Sequence, residues 1–165
     1  MQPYLFPYIG YFQLIEKVDK FIFFDNVNYI KKGFVNRNYF VLNGELERIS
    51  FPVKKVSQNR FINQHFYEQQ ACLKLELLVS LCPQLKSVVT KLTEMINALE
   101  NVARVNGFAI TAIAKSLGLD TDFYYASDLI TNWDPNTHNS GEDKILSICK
   151  NVGASEYINP SNGIN

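Results

Sequence analysis

The chain has 165 residues, of which 47% are apolar, and this length and composition predict a single domain with one hydrophobic core. Sixteen basic and sixteen acidic residues give a formal net charge of zero, which excludes a protein-wide attraction to nucleic acid or to an anionic membrane. The three cysteines form no Cys-x-x-Cys pair and the two histidines lie far apart, so we predict no metal site. The apolar runs are too short for a membrane span and the N-terminus lacks a signal-peptide pattern, so we predict a cytoplasmic location without membrane insertion.

The sequence begins with a stiff aromatic loop, QPYLFPYIGYF, that leads into a short amphipathic helix. Its prolines restrict the backbone, its glycine permits close approach, and free N–H groups at the start of a helix favour a phosphate or carboxylate. The predicted phosphate-binding residues of this loop are Gln2, Pro3, Pro7, Tyr8, Gly10 and Tyr11. The alternative is that the apolar side chains of Tyr4, Leu5 and Phe6 only plug the end of the sheet.

A buried strand and a β-hairpin follow the loop. Four consecutive apolar residues, 21–24, are typical of a strand covered on both faces in a parallel sheet. Asn43-Gly44 stands between two β-rich arms, which predicts a hairpin over residues 39–53 that lies outside the parallel core.

The middle of the chain shows a helical stripe of apolar residues. The stripe runs from Leu85 to Val102 at helical spacing, with Pro83 near its start and Gly107 near its end. This pattern predicts one continuous helix that faces the core, and we assign it no chemistry.

The last third contains two helix–strand units in series. Each unit has an apolar helix that ends at a glycine, followed by a short aromatic strand, 123–125 in the first unit and 157–158 in the second. Ser140 and Asp143 resemble a capping box at the start of the second helix. The alternation predicts an α/β fold, specifically a three-layer Rossmann-like parallel sheet with an inserted β-hairpin and a helical middle segment, in a single domain over residues 1–165.

Polar side chains follow the predicted strands at the end where parallel sheets bind ligands. These residues are Asp25 and Asn26, then Ser127 and Asp128, and finally Asn159, Ser161 and Asn162. We expect them to face one crevice together with the opening loop.

A local cationic segment follows the first predicted strand. Lys31, Lys32 and Arg37 occur within seven residues, with Asn36 and Asn38 beside the arginine and no acidic neighbour. In a protein without net charge, this pattern predicts an anion site. The alternative is a solvated charged loop.

Four stretches together resemble the WbqC-like protein family. They are MQPYLFPYIGYFQLI, DKFIFFDNVNYIKKGFVNRN, FPVKK and GEDKILSICKNVGASEYINP. The residues that fit the family pattern are Gln2, Pro3, Pro7, Gly10, Asp25, Lys31, Lys32, Gly33, Asn36, Arg37 and Asn38. The resemblance implies a cytoplasmic protein encoded among genes for O-antigen or other surface-polysaccharide synthesis, without supplying a reaction.

Two departures from the family pattern concern the ends of the sequence. Family members usually carry an apolar strand before the Gln-Pro pair and a further strand and helix after the Asn-Pro pair, whereas this sequence spans Met1 to Asn165. We therefore expect the domain to lack its first strand and a C-terminal segment.

The order of parts also resembles nucleotidyltransferase-like ligases, although the His-x-Gly-His motif is replaced by PYIGY. We predict an enzyme that joins an acyl or aminoacyl group to an amino-sugar nucleotide, with Asp25, Lys31 and Arg37 in catalytic roles. The cofactor stays open, with ATP and magnesium as candidates, and so does the oligomeric state. The expected partner is a small molecule, a sugar nucleotide. The alternatives are a non-catalytic sugar-nucleotide binding or assembly protein of the same pathway and a defective gene fragment.

Overall fold

The computed structural model describes residues 1–42, 44–130 and 141–159, which form six α-helices, four strands and two short 3₁₀ helices. In chain order the elements are α1 (Ile9–Glu16), β1 (Lys20–Phe23), β2 (Arg37–Leu42), β3 (Glu45–Ser50), a 3₁₀ turn (Ile62–Gln64), α2 (Gln70–Leu81), a second 3₁₀ turn (Pro83–Leu85), α3 (Lys86–Asn97), α4 (Val102–Ser116), β4 (Asp122–Tyr125), α5 (Ala126–Leu129) and α6 (Gly141–Asn151). None of the helices within these described ranges is long and apolar enough to cross a membrane.

Two strands that are about a hundred residues apart in sequence form a parallel pair. β1 pairs with β4 in parallel, with Phe21 opposite Phe123 and Phe23 opposite Tyr125. Side chains of α1 and α4, including Tyr11, Ile15 and Ile110, bury the aromatic faces of this pair. The prediction that residues 21–24 and 123–125 form parallel strands is therefore confirmed.

The hairpin is a separate antiparallel sheet. β2 and β3 pair along their whole length, from Arg37 opposite Ser50 to Leu42 opposite Glu45. Gly44 adopts φ 84°, a left-handed conformation that glycine tolerates without steric cost, while Asn43 lies outside the described residues. The predicted hairpin is confirmed, and its buried Ile49 and the following Phe51 join a second core with α2, α3 and α4.

The helical middle segment is two helices, and the prediction of one continuous helix is wrong. α3 ends at Asn97, Leu99 takes the left-handed value φ 58°, and the Glu100 N–H bonds to the Met95 carbonyl at 2.9 Å. The Asn101 side chain then accepts the Arg104 N–H and caps α4. Because neither Gly nor Pro marks this break, the apolar spacing concealed it.

The second helix–strand unit forms only its helix among the described residues. α4 and α6 both end near left-handed glycines as predicted, Gly118 with φ 75° and Gly153 with φ 64°. Residues 157–158 form no strand, however, and both side chains are exposed, so that predicted strand is wrong. Ser140, Ser161 and Asn162 lie outside the described residues. The α/β class is confirmed, whereas the described part of the chain has a two-stranded parallel sheet and does not establish a three-layer Rossmann-like fold.

Gly107 lies inside α4, where Tyr125 of β4 crosses the helix. A Cβ atom at Gly107 would overlap the Tyr125 hydroxyl and would lie 2.8 Å from its ring Cζ. We predict that Gly107→Ala lowers the free energy of unfolding by about 1–3 kcal/mol, although alanine favours helices, because the core is overpacked.

Chemical denaturation measures this loss. Tyr125→Phe in the same background should recover part of it, because the hydroxyl is removed. Gly141→Ala is the matched control, since no atom of the described residues lies within 4 Å of a Cβ at that helical position. Equal stability of the Gly107 and Gly141 variants would contradict the packing explanation.

Candidate functional site

The opening loop is fastened to the cationic segment by a buried amide that the sequence analysis missed. Asn106 of α4 is fully buried, and its Nδ2 donates to the carbonyl of Pro3 at 2.9 Å and to that of Val35 at 2.7 Å. Its Oδ1 accepts from the Tyr67 hydroxyl at 2.8 Å. A lone asparagine on an otherwise apolar helix face is the signal that could have revealed this role.

Further contacts fix the loop against residues 34–38. The Leu5 N–H donates to the Val35 carbonyl at 3.2 Å, and Asn38 Nδ2 donates to the Phe6 carbonyl at 2.6 Å. Phe6 adopts φ 50°, and the buried Leu5 belongs to the larger core. This arrangement favours the plugging alternative for residues 4–6 and brings the loop and the cationic segment together.

The remaining predicted loop residues divide between the core and the surface. Pro3 and Pro7 are buried, and Gln2 is half-buried. Tyr11 is fully buried, its hydroxyl donates to the Gln2 carbonyl at 2.9 Å, and burial raises its pKa. Tyr8 is exposed at the start of α1, and Gly10 makes room for the Tyr8 ring. Of these side chains, that of Tyr8 is the most exposed, and its contact with a ligand stays a prediction.

Among the described residues, no acidic side chain forms an ion pair with the cations of the predicted anion site. Lys31 and Lys32 are exposed and Arg37 is half-buried. Ion pairs between described residues involve other cations, at Lys91–Glu94 and Arg104–Asp128.

The two asparagines that flank Arg37 hold the backbone in place. Asn36 Nδ2 donates to the Phe51 carbonyl at 2.8 Å, and Asn38 bonds to the loop as described above. The two side-chain amides therefore hold the backbone on both sides of Arg37. The half-buried guanidinium of Arg37 lies between them in sequence. Direct ligand contacts by these two asparagines stay a prediction.

Two buried side-chain oxygens in the segment that follows β1 lack a hydrogen-bond partner among the described residues. They are Asn26 Oδ1 and the Tyr29 hydroxyl. Burial raises the pKa of Tyr29, and the nearby Arg37 charge partly opposes that rise. Tyr29 is thus a neutral donor. An unsatisfied buried polar group costs about 1–3 kcal/mol, which a polar ligand or water at this position would offset.

The ends of the parallel strands are joined by a carboxylate. Asp25 is 1% exposed, and its oxygens accept from the Ser127 N–H at 3.0 Å, from the Ser127 hydroxyl at 2.6 Å and from Asn63 Nδ2 at 3.3 Å. The structure therefore brings Asp25 and Ser127 together, as the strand-end rule predicts. Three accepted bonds favour a structural role for Asp25, and its predicted catalytic role stays a prediction.

Two cations missed by the sequence analysis lie at the same strand ends. Arg104 pairs with Asp128 and stacks over the Tyr125 ring with its guanidinium carbon 3.9 Å from the ring centre. Lys144 of α6 donates to the Asn26 carbonyl at 3.3 Å, and burial lowers its pKa. Both are distant from the strand ends in sequence, so only the fold reveals their position.

The carboxylates that the structure describes near the strand ends do not fit a protein-held magnesium ion. Asp25 uses its oxygens on Ser127 and Asn63, and Asp128 is paired with Arg104. In the part of the chain that the structure describes, no group of three His, Cys, Asp or Glu side chains is placed to hold a metal. Asn159 is exposed and lines a cleft beside β1, apart from the Asp25–Ser127 contact.

We predict that Asp25→Asn lowers the free energy of unfolding by about 1.5–3 kcal/mol, because an amide cannot accept all of the bonds that the carboxylate accepts. Asp19→Asn, at the exposed opposite end of β1, is the control and should change stability little. Urea denaturation of both variants measures the difference. If the Asp25 variant is as stable as the Asp19 variant, Asp25 does not have the structural role.

Comparison with known proteins identifies a relative and a family. It is similar to the "Uncharacterized protein Rv1507c" of Mycobacterium tuberculosis, with 24% identity over 160 residues that cover 92% of this chain and 67% of the relative. No solved structure matches the chain significantly. A family description matches residues 2–165, almost the whole sequence. The chain therefore belongs to the WbqC-like protein family.

Proposed function

We propose that the chain acts in the cytoplasm in surface-polysaccharide biosynthesis, as an ATP-dependent enzyme that transfers an acyl or aminoacyl group to an amino-sugar nucleotide. Its ligand site comprises Asn26, Tyr29 and Arg37, with Tyr8 and the Lys31–Lys32 pair at the periphery. The pathway comes from the family context, and the ligand class comes from the chemistry of the site.

One observation carries the proposal. Asn26 Oδ1 and the Tyr29 hydroxyl, in the segment that follows β1, are buried without a hydrogen-bond partner among the described residues, and the charge of Arg37 acts on Tyr29. Parallel sheets bind ligands at this end, and arginine recognises phosphate through charge-assisted hydrogen bonds. A sugar nucleotide supplies both partners, because its phosphates accept from Arg37 and Tyr29 while a sugar hydroxyl or amine donates to Asn26.

The proposed chemistry needs no nucleophile from the protein. The carboxylate oxygen of the acid attacks the α-phosphorus of ATP and expels pyrophosphate, and the sugar amine then attacks the acyl carbon, expels AMP and loses a proton. The protein contributes by holding the two reactants together and by neutralising phosphate charge. Arg37 and the two lysines serve the second task.

The alternative function is a non-catalytic sugar-nucleotide binding or assembly protein of the same pathway. The engagement of Asp25 with Ser127 and Asn63 favours it, because that carboxylate is the predicted partner of the attacking amine. The buried histidine does not supply a base, since His65 bonds to the Phe61 carbonyl and to the Ser57 N–H.

Arg37→Ala should weaken binding of a nucleotide-linked amino sugar about tenfold or more, because one charge-assisted contact is lost. The control is Arg48→Ala, which removes an exposed arginine from the other strand of the same hairpin. Isothermal titration calorimetry with uridine diphosphate glucosamine measures both affinities. Equal affinities would place the phosphate site elsewhere.

The reaction itself is tested by incubating the protein with ATP, magnesium, glycine and the same sugar nucleotide. We expect pyrophosphate release that requires glycine, and mass spectrometry should show a sugar nucleotide heavier by one glycyl group. Arg37→Ala should reduce both signals more than Arg48→Ala does. Tight binding of the sugar nucleotide without nucleotide consumption, across a panel of small acids, would reject the transferase and support the binding protein.

A further inference from the structure

The opening loop and the cationic segment share an exposed aromatic patch, which consists of Tyr4, Tyr8 and Phe34. Tyr8 is 63% exposed and Phe34 is 47% exposed. The half-buried Tyr4 connects them: its ring centre lies 6.2 Å from that of Phe34, and its pKa is raised by burial and further by the neighbouring Tyr8 phenol. Neighbouring apolar groups that stay in contact with water mark a site of interaction.

The backbone on both sides of Phe34 is fixed. Before it, the Gly33 N–H donates to the Ile30 carbonyl at 3.0 Å, and a Cβ at Gly33 would lie 3.0 Å from the same oxygen. After it, Val35 is fully buried, and its carbonyl accepts from Asn106 Nδ2 at 2.7 Å. The exposure of Phe34 is therefore built into the fold, and a ring held in place loses little conformational freedom when a ligand binds.

Tyr4 connects the Phe34 ring to the core. The Tyr4 ring centre is 6.1 Å from that of the fully buried Tyr11, with the two planes inclined by 50°. The planes of Tyr4 and Phe34 are inclined by 58°. Tilted aromatic pairs at this separation attract each other. Phe34 is thus supported from one side, while about half of its surface stays open to a ligand.

Two cations lie in the turn that precedes Phe34. Lys31 and Lys32 are both exposed, and Lys32 takes the left-handed value φ 64°. Two residues of backbone span at most about 7 Å, so one ligand can reach both Lys32 and Phe34. Neither residues 1–15 nor residues 26–44 contain an acidic side chain. The surroundings of the aromatic patch therefore favour an aromatic ligand that carries negative charge.

We propose that the aromatic patch binds the nucleobase of a nucleotide, which stacks on Phe34 with Tyr8 beside it, while Lys31 and Lys32 contact the phosphates. This inference rests on the proposed function and goes further by giving the base its own subsite. Stacking uses the π face that every base has, so the patch distinguishes nucleotides from ligands without a base but does not distinguish one base from another.

Two considerations favour a nucleobase at the patch. A sugar nucleotide carries its base and its sugar on opposite sides of the diphosphate. With the sugar assigned to Asn26 and the phosphates to Arg37, the base needs a separate subsite, which the aromatic patch supplies. A second copy of the chain is a poor occupant, because a symmetric contact through the patch would bring the lysine pairs of both copies together.

Phe34→Leu tests the proposal, because leucine keeps an apolar side chain beside Tyr4 and removes the aromatic face. Phe34→Trp is the conservative variant that retains such a face. Phe66→Leu is the matched control, since Phe66 is a phenylalanine that is 37% exposed and lies outside both segments. Isothermal titration calorimetry measures binding of uridine diphosphate and adenosine diphosphate. NMR titration measures binding of glucosamine 1-phosphate, which has no base, and melting temperatures verify that each variant is folded.

We expect Phe34→Leu to weaken binding of both nucleoside diphosphates about tenfold and to leave the affinity for glucosamine 1-phosphate unchanged. Phe34→Trp and Phe66→Leu should bind all three compounds like the unaltered chain. In the unaltered chain, the uracil ring protons should shift upfield on binding, because an aromatic ring shields protons that lie above its face.

Unchanged binding of the nucleoside diphosphates by Phe34→Leu would overturn the proposal, and so would an equal loss of affinity for glucosamine 1-phosphate. Absence of nucleoside diphosphate binding by the unaltered chain would overturn it as well. Affinity that depends on Arg37 but not on Phe34 would reject the aromatic patch alone. Affinity that depends on Phe34 without any glycyl transfer would support the patch and reject the proposed transferase.

Discussion

The side-chain amide of Asn106 is the interaction on which the arrangement of the candidate site depends. It joins the backbone of the opening loop at Pro3 to that of the cationic segment at Val35, and it is oriented by Tyr67. Because the group is fully buried, each of these bonds forms in a low-dielectric environment where an unpaired carbonyl would be costly. α4 thereby sets the position of two segments that are distant from it in sequence.

The same helix separates the two halves of the core. One face of α4 covers the parallel strands through Ile110 and Ala114, and another packs with α2, α3 and the hairpin through Val102 and Val105. Segments 25–29 and 60–65 are held to each other by backbone bonds such as that from the Tyr29 N–H to the Arg60 carbonyl. Tyr29, whose hydroxyl has no hydrogen-bond partner among the described residues, belongs to the larger of the two core clusters.

The polar residues singled out from the sequence serve two different physical purposes. Asp25, Asn36 and Asn38 satisfy backbone or neighbouring side-chain groups and stabilise the framework. Within the part of the chain that the structure describes, Arg37 has no ion-pair partner and the Tyr29 hydroxyl has no hydrogen-bond partner, which makes them better candidates for ligand contact. Residue type and strand-end position indicated which part of the fold to consider. The hydrogen bonds then distinguish residues that stabilise the fold from residues that are available to a ligand.

The sequence patterns predicted the elements that interactions between residues close in sequence determine. The Asn-Gly turn specified the hairpin, and the apolar run at residues 21–24 specified a strand that pairs with 123–125. The break at Leu99 escaped prediction because a leucine with positive φ has no compositional signal. Residues 157–158 were predicted as a strand from their aromatic pattern, but a strand also needs a neighbour to pair with. Asn106, Arg104 and Lys144 gain their roles through contacts distant in sequence, which no local pattern contains.

Chemical-shift mapping by NMR tests most directly whether Asn26 Oδ1 and the Tyr29 hydroxyl face the ligand. Uridine diphosphate glucosamine would be titrated into isotope-labelled protein while the side-chain amide of Asn26 and the ring of Tyr29 are monitored. We expect these signals and that of the Arg37 guanidinium to shift together and to saturate at the same ligand concentration. The signal of the exposed Asn97 amide should not shift. Saturable binding with shifts confined to the cleft between β1 and α6, or to the surface of α2 and α3, and none at Asn26 or Tyr29, would contradict this.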